Sequence, residues 1–455
     1  MGIANQANPS DLITIEGRGI TVVLKRILLY SLNFTPELTG IGKFNGEMVQ
    51  WLTDQGYEVR VVTAPPYYPQ WKINQGYSAH KYSKEIANGA EVWRCPIWIP
   101  SKLTGLKRLL HLASFALSSI PVILKQMWWR PQLVMVVEPP LAVAPIVVVL
   151  SKLFGIKSWL HVQDFEVDAA FDLGLLPENK ALKQLVTGVE TWLMRRFNIV
   201  SSISLQMMER LYNKGIEPAR TRFFPNWVET NAIYPLEERP VYYREQLGIN
   251  RNDFVVLYSG NMGAKQGLEI ILDAAERLQE FKNIYFVICG EGSNKDKLIE
   301  DVKLRNLAQI KFIPLQPLEK LNLLLNTADV HALIQKMSIS DLVMPSKLTG
   351  MMASGKAIIA TAAKKTAVFT VMEQSRAGRV VSPEDPEQLA KVLLEMSENK
   401  AACHIYGLNA RAYATEHLSK AAIMSAFEKS IKDLTTIQKS ASSKSSVKDK
   451  GVFMK

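Results

Sequence analysis

Three glycine-containing loops in the sequence have the composition of phosphate-binding loops. Each follows an apolar, strand-like run of residues. Because glycine has no side chain, the backbone N–H groups of such a loop can approach a phosphate at the positive end of a helix dipole. One loop alone is equally consistent with a tight turn that binds nothing, whereas three favour a phosphate-bearing ligand. They are PELTGIGKF with Gly40 and Gly42, SGNMGAKQG with Gly260, Asn261 and Lys265, and CGEGS with Gly290 and Gly292.

These loops belong to two series of alternating strand and helix patterns. The first begins at KRILLYSLNF and continues through YEVRVVTAP, LVMVVEP and KSWLHVQD. The second runs from DFVVLYSG through IYFVICG and IKFIPL to KAIIAT. Such alternation predicts parallel sheets covered by helices. We therefore predict an α/β fold of two Rossmann-like, doubly wound domains that face each other across a cleft, with the ligand bound there at the carboxyl ends of the strands.

Changes in composition suggest the boundaries of these domains. Proline and acidic residues become dense after the first series, which is typical of a linker. Serine and lysine dominate the end of the chain, which is typical of disorder. The predicted segments are an N-terminal extension at 1–24, a first domain at 25–225, a linker at 226–250, a second domain at 251–412, a helix at 413–435 and a disordered Lys/Ser-rich tail at 436–455.

The overall composition is that of a globular protein in a reducing compartment. Of the 455 residues, 47% are hydrophobic and 21% are charged. The three cysteines, Cys95, Cys289 and Cys403, are far apart and form no Cys-x-x-Cys pair, so neither a disulfide framework nor a zinc site is predicted. The amino-terminal residues lack a signal-peptide core, and no uncharged, proline-free apolar run of about 18 residues occurs. We expect a cytoplasmic protein that is neither secreted nor membrane-spanning.

The formal net charge of +11 is concentrated in two segments, 101–130 and 436–455. The first mixes basic residues with leucines, contains no acidic residue and ends in two tryptophans. Basic residues attract anionic headgroups by about 1 kcal/mol each, and tryptophan favours the membrane interface. Docking on the inner face of the plasma membrane and ordinary packing of a helix on the sheet both remain open. The residues expected at a membrane or its acceptor are Lys107, Arg108, Trp128, Trp129 and Arg130.

Longer motifs carry a specific resemblance over roughly residues 25–430. In chain order they are SLNFTPELTGIGKFNGEMVQWLTDQGYEVRVVTAPPYYPQWK, LHVQDFEVDAAFDLGLL, FFPNWVE, YSGNMGAKQGLE and MPSKLTGMMASGKAII. The sequence resembles the colanic acid biosynthesis glycosyltransferases, a family 4-like group of retaining GT-B enzymes. This resemblance implies a nucleotide-diphosphate sugar donor, retention of anomeric configuration, no metal and no other cofactor. It also implies an N-terminal acceptor half, a C-terminal donor half and a last helix that crosses back to the first half.

The resemblance assigns the donor diphosphate to two lysines. Without a metal, cations and helix N-termini must stabilise the departing nucleoside diphosphate, and the matching residues are Lys265 and Lys347. The commonest family pattern has an arginine after the first glycine of the SGN-type loop, where this chain has Asn261. That role is therefore unfilled unless Lys347 supplies it. The alternative is that either lysine is only a solvated charge at a helix end.

A second departure concerns two glutamates that the broad family carries eight positions apart. This chain has Leu342 and Gly350 at the matching positions, and Asp341 is the neighbouring candidate to bind the sugar. We interpret the change as a subfamily variant and not as loss of activity. The other donor-binding residues implied by the resemblance are Gly40, Gly42, Gly260, Gly290, Gly292, Pro345 and Ser346, together with Gly350 itself.

Two residues match catalytic positions of the family: one at the end of the strand KSWLH and one three residues later. His161 corresponds to a histidine near the reacting sugar, where an imidazole can donate a hydrogen bond to a sugar hydroxyl or to the leaving phosphate. Asp164 also matches, and a carboxylate there can orient an acceptor hydroxyl or take its proton. A histidine at a strand end is also commonly structural. Asn226, in FPNW, matches a donor-binding position at the hinge, although an asparagine after proline is also an ordinary turn residue.

We predict a retaining, metal-independent hexosyltransferase. It would move a sugar from a nucleotide-diphosphate donor to a lipid-linked oligosaccharide, and GDP-fucose is the first donor to test. Two alternatives remain open: a nucleotide-sugar epimerase of the same fold, and a non-catalytic donor-binding partner of an assembly complex. No nucleic-acid-binding module is recognisable, so nucleic acid is not expected as a partner. The sequence does not indicate the oligomeric state.

Overall fold

The structure is a computed structural model, and its described residues form two compact units. Those residues are 14–16, 19–21, 26–37, 40–100, 105–172, 179–263, 266–337 and 345–443. Within them, the N-terminal unit comprises the positions up to Ser202, Leu211–Arg222 and those from Met424 onward. The C-terminal unit comprises Ile203–Arg210 and Phe223–Ile423. A small antiparallel pair of strands, β1 (Thr14–Glu16) and β2 (Gly19–Thr21), precedes the main sheet of the N-terminal unit.

The N-terminal sheet has eight strands in the order β10-β9-β8-β7-β3-β4-β6-β5. The pairs from β9 to β6 are parallel, and β5 closes the edge antiparallel to β6. The strands are β3 (Arg26–Tyr30), β4 (Glu58–Thr63), β5 (Ser83–Ala87), β6 (Ala90–Arg94), β7 (Leu133–Glu138), β8 (Lys157–Val162), β9 (Ile199–Ser202) and β10 (Thr221–Phe223). The helices along this part of the chain are α1 (Gly40–Asp54), α2 (Gly105–Ser118), α3 (Ile120–Met127), α4 (Ala144–Phe154), α5 (Glu166–Asp172), α6 (Lys180–Met194) and α7 (Leu205–Asn213).

The C-terminal sheet has six strands in the order β13-β12-β11-β14-β15-β16, and every neighbouring pair is parallel. The strands are β11 (Phe254–Ser259), β12 (Ile284–Cys289), β13 (Ile310–Ile313), β14 (Val330–Leu333), β15 (Ala357–Thr361) and β16 (Gly378–Val381). The helices are α8 (Tyr242–Gln246), α9 (Glu269–Arg277), α10 (Lys295–Leu304), α11 (Leu321–Thr327), α12 (Lys347–Ala353), α13 (Ala367–Ser375), α14 (Pro386–Glu398) and α15 (Lys400–Tyr413).

Both sheets are buried on two faces, as their near-continuous apolar strands require. All six residues of β7 are buried, and two separate apolar clusters cover the two faces of the C-terminal sheet. Parallel strands of this kind bring the loops at their carboxyl ends to one edge of the sheet. The prediction of two parallel-sheet α/β halves is confirmed.

The segment predicted as a linker, 226–250, is instead an integral part of the C-terminal unit. The Arg244 side chain is buried, and its guanidinium binds Asp329 Oδ2 at 2.8 Å and the Asp253 carbonyl at 2.8 Å. Leu236 N–H donates to Asn326 Oδ1 at 3.0 Å. The proline and charge density that suggested a linker therefore reflects polar groups that are paired inside the unit.

The last helix, α16 (Lys420–Ser443), joins the N-terminal unit from Met424 onward. Its Phe427 ring meets the buried Trp159 ring edge-on, with centroids 5.1 Å apart. Glu428 accepts a hydrogen bond from Tyr57 OH at 3.1 Å. The helix extends eight residues into the tail that was predicted to be disordered, and the rest of that tail, 444–455, lies outside the described residues.

The segment Lys107–Met127 is long and apolar enough to cross a membrane by length and composition alone, and 39% of its apolar window is buried in the structure. Two helices, α2 and α3, form this segment, and both are tied to the N-terminal sheet. Buried His111 contacts Tyr67 OH at 3.0 Å, and the hydroxyls of Ser119 and Tyr30 are hydrogen-bonded. These contacts favour helices that cover a core over a membrane span.

Candidate active site

The glycine loops after β11 and β12 pack against each other at the carboxyl edge of the C-terminal sheet. Gly260 N–H donates to the Cys289 carbonyl at 2.9 Å, and Met262 N–H donates to the Glu291 carbonyl at 2.8 Å. A Cβ on Gly290 would lie 1.9 Å from the Gly260 carbonyl oxygen. The backbones can therefore approach this closely only because the side chain is missing. The structure brings Gly260, Asn261, Gly290 and Gly292 together, and their binding of a donor phosphate stays a prediction.

Lys347 lies against this pair of loops from the start of α12. Its ammonium nitrogen is 3.2 Å from Tyr258 OH and 4.3 Å from the centroid of the Tyr258 ring. Tyr258 OH in turn donates to the Asn261 carbonyl at 2.6 Å, and a Cβ on Gly260 would lie 3.4 Å from Lys347 Cδ. Burial lowers the pKa of Lys347 to about 8. The site therefore holds an ammonium group that has lost much of its hydration and lies beside the two glycine loops.

Two side chains of this site were missed by the sequence analysis. Tyr258 gave no signal, because its contact with Lys347 joins residues 89 positions apart. Lys336 follows β14, and its aliphatic stem crosses Gly267, where a Cβ would lie 2.6 Å from Lys336 Cγ. The sequence feature that could have identified Lys336 as a candidate was its position three residues after a strand of the second series. Lys336 adds a second described cation near the carboxyl edge of this sheet.

The other residues predicted for the donor site are either outside the described residues or at separate positions on α12 and before it. Lys265 and Asp341 lie outside the described residues. Ser346 is exposed at the N-cap of α12, with Pro345 before it. At Gly350 the only neighbour of an added Cβ would be Leu325 Cδ1 of α11 at 3.6 Å, an ordinary contact. Gly350 therefore points toward a core helix, and the structure does not place it with the glycine loops.

In the N-terminal unit, Gly40 and Gly42 lie in the first turn of α1, and a buried carboxylate, Glu37, packs against this turn. Glu37 Oε1 accepts hydrogen bonds from the backbone N–H groups of Tyr67 and Tyr68, both at 3.0 Å. A Cβ on Gly42 would lie 2.5 Å from Glu37 Oε2, and Gly40 has a positive φ of 62°. Burial raises the pKa of Glu37. The need for glycine at position 42 thus comes from packing on Glu37, which the sequence analysis did not anticipate.

His161 is buried at the end of β8 with both ring nitrogens engaged. Gln163 Nε2 lies 2.9 Å from His161 Nε2, and Ser201 Oγ lies 2.9 Å from His161 Nδ1. Because the amide nitrogen can only donate, Nε2 accepts and Nδ1 carries the proton. Burial lowers the pKa of His161 to about 3, so the ring is neutral at physiological pH. The His161 ring is therefore held in one orientation as a neutral imidazole, and it is not suited to take up and release a proton.

Asp164 belongs to a cluster of acidic residues at the carboxyl ends of β7 and β8. Glu138 is fully buried, and neither carboxyl oxygen has a hydrogen-bond partner within the described residues. Burial, followed by Glu190, Glu166 and Asp164, raises the pKa of Glu138 well above its usual value. Glu190 is paired with Lys214 at 2.5 Å. The surroundings of Glu138 therefore favour its protonated form. The sequence analysis missed this residue because it lies inside an apolar run.

The remaining predicted residues lie apart from these groups. Asn226 is partly buried in the C-terminal unit, three residues after that unit resumes at Phe223. Trp128 and Arg130 are exposed, as expected for a surface contact. Trp129, in contrast, donates to Glu58 at 2.9 Å and stacks under the Arg60 guanidinium. The side chain of Trp129 is thus engaged with β4, which argues against a role in membrane contact.

Lys107 and Arg108 are both partly buried at the start of α2. Burial raises the pKa of Glu166 and lowers the pKa of His111, and the charge of Arg108 acts to lower both. This effect on two buried groups indicates that the guanidinium faces the N-terminal unit. Among the described residues, no group of three or more His, Cys, Asp or Glu is arranged to hold a metal ion. Whether the reaction needs a metal stays a prediction.

Sequence comparisons relate both units to glycosyl transferases. A family model described as glycosyl transferases group 1 matches residues 242–413, and one described as glycosyl transferase 4-like domain matches residues 39–227. The chain is 41% identical over 410 residues to the putative colanic acid biosynthesis glycosyl transferase WcaI of Escherichia coli strain K12. That alignment covers 88% of this chain and 98% of the relative.

Structure comparisons give the same fold at low sequence identity. Sucrose-phosphate synthase from Thermosynechococcus elongatus has a TM-score of 0.69 and 16% identity over 90% of this chain and 99% of its own. HepE of Anabaena in complex with UDP has a TM-score of 0.64 and 16% identity over 90% of this chain and all of its own. A second HepE structure contains UDP-glucose. The predicted GT-B fold class is confirmed.

Proposed function

The chain belongs to the glycosyltransferases, in the group that includes the colanic acid enzyme WcaI, and we propose that it transfers a sugar from a nucleotide-diphosphate donor to a lipid-linked oligosaccharide in exopolysaccharide synthesis. The support is 41% identity over nearly the whole length of WcaI. The resemblance predicted from the motifs is confirmed. GDP-fucose remains the first donor to test, because the relative named for colanic acid biosynthesis is the one aligned over most of the chain.

The observation that carries the proposal is the ammonium group of Lys347 beside the packed glycine loops. A donor diphosphate placed there would meet the ammonium and the N–H groups of the loops, which would stabilise the charge that develops on the leaving nucleoside diphosphate. HepE, which shares the fold, binds UDP and UDP-glucose. A donor site in the C-terminal unit is the arrangement consistent with both facts.

The proposed reaction is retaining and metal-independent. Lys347 and Lys265 would neutralise the leaving diphosphate as its bond to the sugar breaks. The acceptor hydroxyl would form the new bond on the face that the diphosphate leaves, and its proton would pass to the departing diphosphate. The neutral ring of His161 would hold its place beside the sugar by way of Ser201 and Gln163. Asp164 would orient the acceptor hydroxyl. The enzyme would work on the cytoplasmic side of the plasma membrane, where nucleotide sugars are available.

The test is turnover of GDP- and UDP-sugars with a membrane lipid extract as the acceptor. Wild type should release nucleoside diphosphate only when lipid is present, and Lys347→Met should lose this release. Lys356→Met is the matched control, because Lys356 is another lysine of the C-terminal unit whose pKa is lowered by burial. Conversion of the sugar without lipid would instead identify an epimerase. Donor binding without turnover over the whole panel would identify a binding partner.

A further inference from the structure

Successive helices of the N-terminal unit carry an unusual number of exposed apolar side chains. α2 packs against α3, α3 against α4, and α4 against α6. Large apolar residues on or directly after these four helices face water where polar residues are expected. We call nine of them the apolar helix surface: Leu117, Leu124, Trp128, Val149, Leu153, Phe154, Leu185, Val189 and Trp192.

The spacing of these residues produces stripes and not scattered exposure. On α6, Leu185, Val189 and Trp192 recur at the intervals that place side chains on one helix face. On α4, Val149 and Leu153 are one turn apart. Single exposed apolar residues are normal on proteins, whereas contiguous apolar surface on neighbouring elements marks an interaction site.

The helices that carry the apolar helix surface have charged residues of almost one sign, although the acidic helix α5 packs against α6. Segments 105–130, 144–157 and 180–196 contain ten lysines and arginines and one acidic residue, Glu190. Glu190 is fully buried and paired with Lys214, so it offers no negative charge to a partner. The exposed cations include Lys125, Lys152 and Arg196, and the Arg196 guanidinium stacks on the Trp192 ring. An apolar surface on helices whose exposed charges are cationic is complementary to an anionic bilayer.

We propose that the apolar helix surface docks the N-terminal unit on an anionic phospholipid bilayer. Its centre is α4 and α6, with Trp128 at the end of α3. Trp129 and Arg108 are not part of it, because they face β4 and Glu166 respectively. Docking rests on the proposed function only for its biological use, because a lipid-linked acceptor would lie at the bilayer. Vesicle binding itself needs no catalysis.

The test is flotation of the full chain with phosphatidylcholine vesicles that contain or lack 30% phosphatidylglycerol, a fraction chosen on the order of natural anionic leaflets. Wild type should float with the anionic vesicles, and high salt should reduce binding. The double variant Leu153→Ser with Leu185→Ser should bind at least tenfold more weakly. The matched control is Leu304→Ser with Leu318→Ser in the C-terminal unit, because these leucines are 73% and 67% exposed, against 73% and 65% for the surface pair.

The outcomes separate this proposal from the proposed function. Equal flotation of the surface variant and wild type overturns the docking proposal, even if transfer activity is found. Conversion of a dimer into a monomer by the surface variant, measured by light scattering, also overturns it, because the surface would then be a subunit interface. Flotation of Lys347→Met like wild type is expected, and it would stand even if no transfer activity were detected. Each variant should show the same thermal unfolding temperature as wild type, which confirms that all of them are folded.

Discussion

At the scale of single residues, the proposed donor site depends on Lys347, whose buried surroundings are unfavourable for its charge. Burial lowers the pKa of Lys347 to about 8, from an ordinary value near 10.5. The folded state therefore binds this proton less readily than the unfolded chain, and at pH 7 the charged lysine lowers the free energy of unfolding by up to about 3 kcal/mol. A residue that costs stability and faces two glycine loops is best explained by ligand binding.

Donor affinity should therefore depend on pH. Below about pH 8 Lys347 is charged and affinity should be constant. Above it the free protein must take up a proton to bind the diphosphate, so affinity should fall by up to tenfold per pH unit. Calorimetric titration with a nucleotide sugar between pH 7 and 9.5 measures this, since the donor's diphosphate does not titrate in that range.

Two variants serve as controls for this titration. Lys347→Arg stays charged at all these pH values, so its affinity should not bend near pH 8. Lys347→Met should lose donor binding while its unfolding temperature at pH 7 stays equal or rises. An unchanged bend in Lys347→Arg would show that another group is responsible.

Glu138 makes the opposite kind of contribution to pH dependence. Its pKa is raised in the folded state, so the folded protein holds a proton that the unfolded chain releases. Stability should therefore fall as the pH rises above the unfolded value, near 4.5, toward the folded value. The variant Glu138→Gln keeps the shape of the protonated side chain, and it should weaken this decline between pH 5 and 8. Calorimetric scans with exposed Glu217→Gln as the control measure it, and an identical pH profile for Glu138→Gln and wild type would refute the assignment.

At the scale of elements, the proposed donor site is made by two loops whose close packing requires glycine at position 290. An alanine at position 290 would place its Cβ 1.9 Å from the Gly260 carbonyl, backbone against backbone. Gly290→Ala should therefore destabilise the protein by about 1–3 kcal/mol and abolish donor binding. Gly350→Ala, inside α12, meets only Leu325 Cδ1 at 3.6 Å and should stabilise by about 0.5–1 kcal/mol. Urea unfolding compares the two, and equal effects would contradict the loop packing.

The central strands of both sheets could be predicted from sequence because runs such as LVMVVE and FVVLYS are apolar throughout. The antiparallel pair β5 and β6 was missed, since β5 is mostly exposed and has no such run. The glycine loops were predicted because backbone geometry dictates glycine there. Tyr258 and Glu37 could not be, because their roles come from contacts made only in the folded unit. The linker prediction failed because composition does not reveal that Arg244 and Asp329 pair across 85 positions.

At the scale of the whole molecule, each unit has its own sheet and its own buried core, and the two carry different surfaces. The C-terminal unit contains the packed glycine loops and Lys347. The N-terminal unit carries the apolar helix surface with its cationic rim, and it is completed by α16 from the other end of the chain. The proposed donor site in one unit and the proposed membrane surface in the other would suit transfer of a water-borne sugar to a lipid-borne acceptor.

The most direct test of this account is the recovery of labelled sugar in the lipid phase after incubation of the full chain with a labelled nucleotide sugar, GDP-fucose first, and lipid-linked acceptor. The account predicts label in lipid for wild type and Lys356→Met, and none for Lys347→Met. Label in lipid at wild-type levels with Lys347→Met would contradict the donor site proposed here. Its absence with wild type across GDP- and UDP-sugars and an acceptor extract that supports a related transferase would contradict the proposed transfer itself.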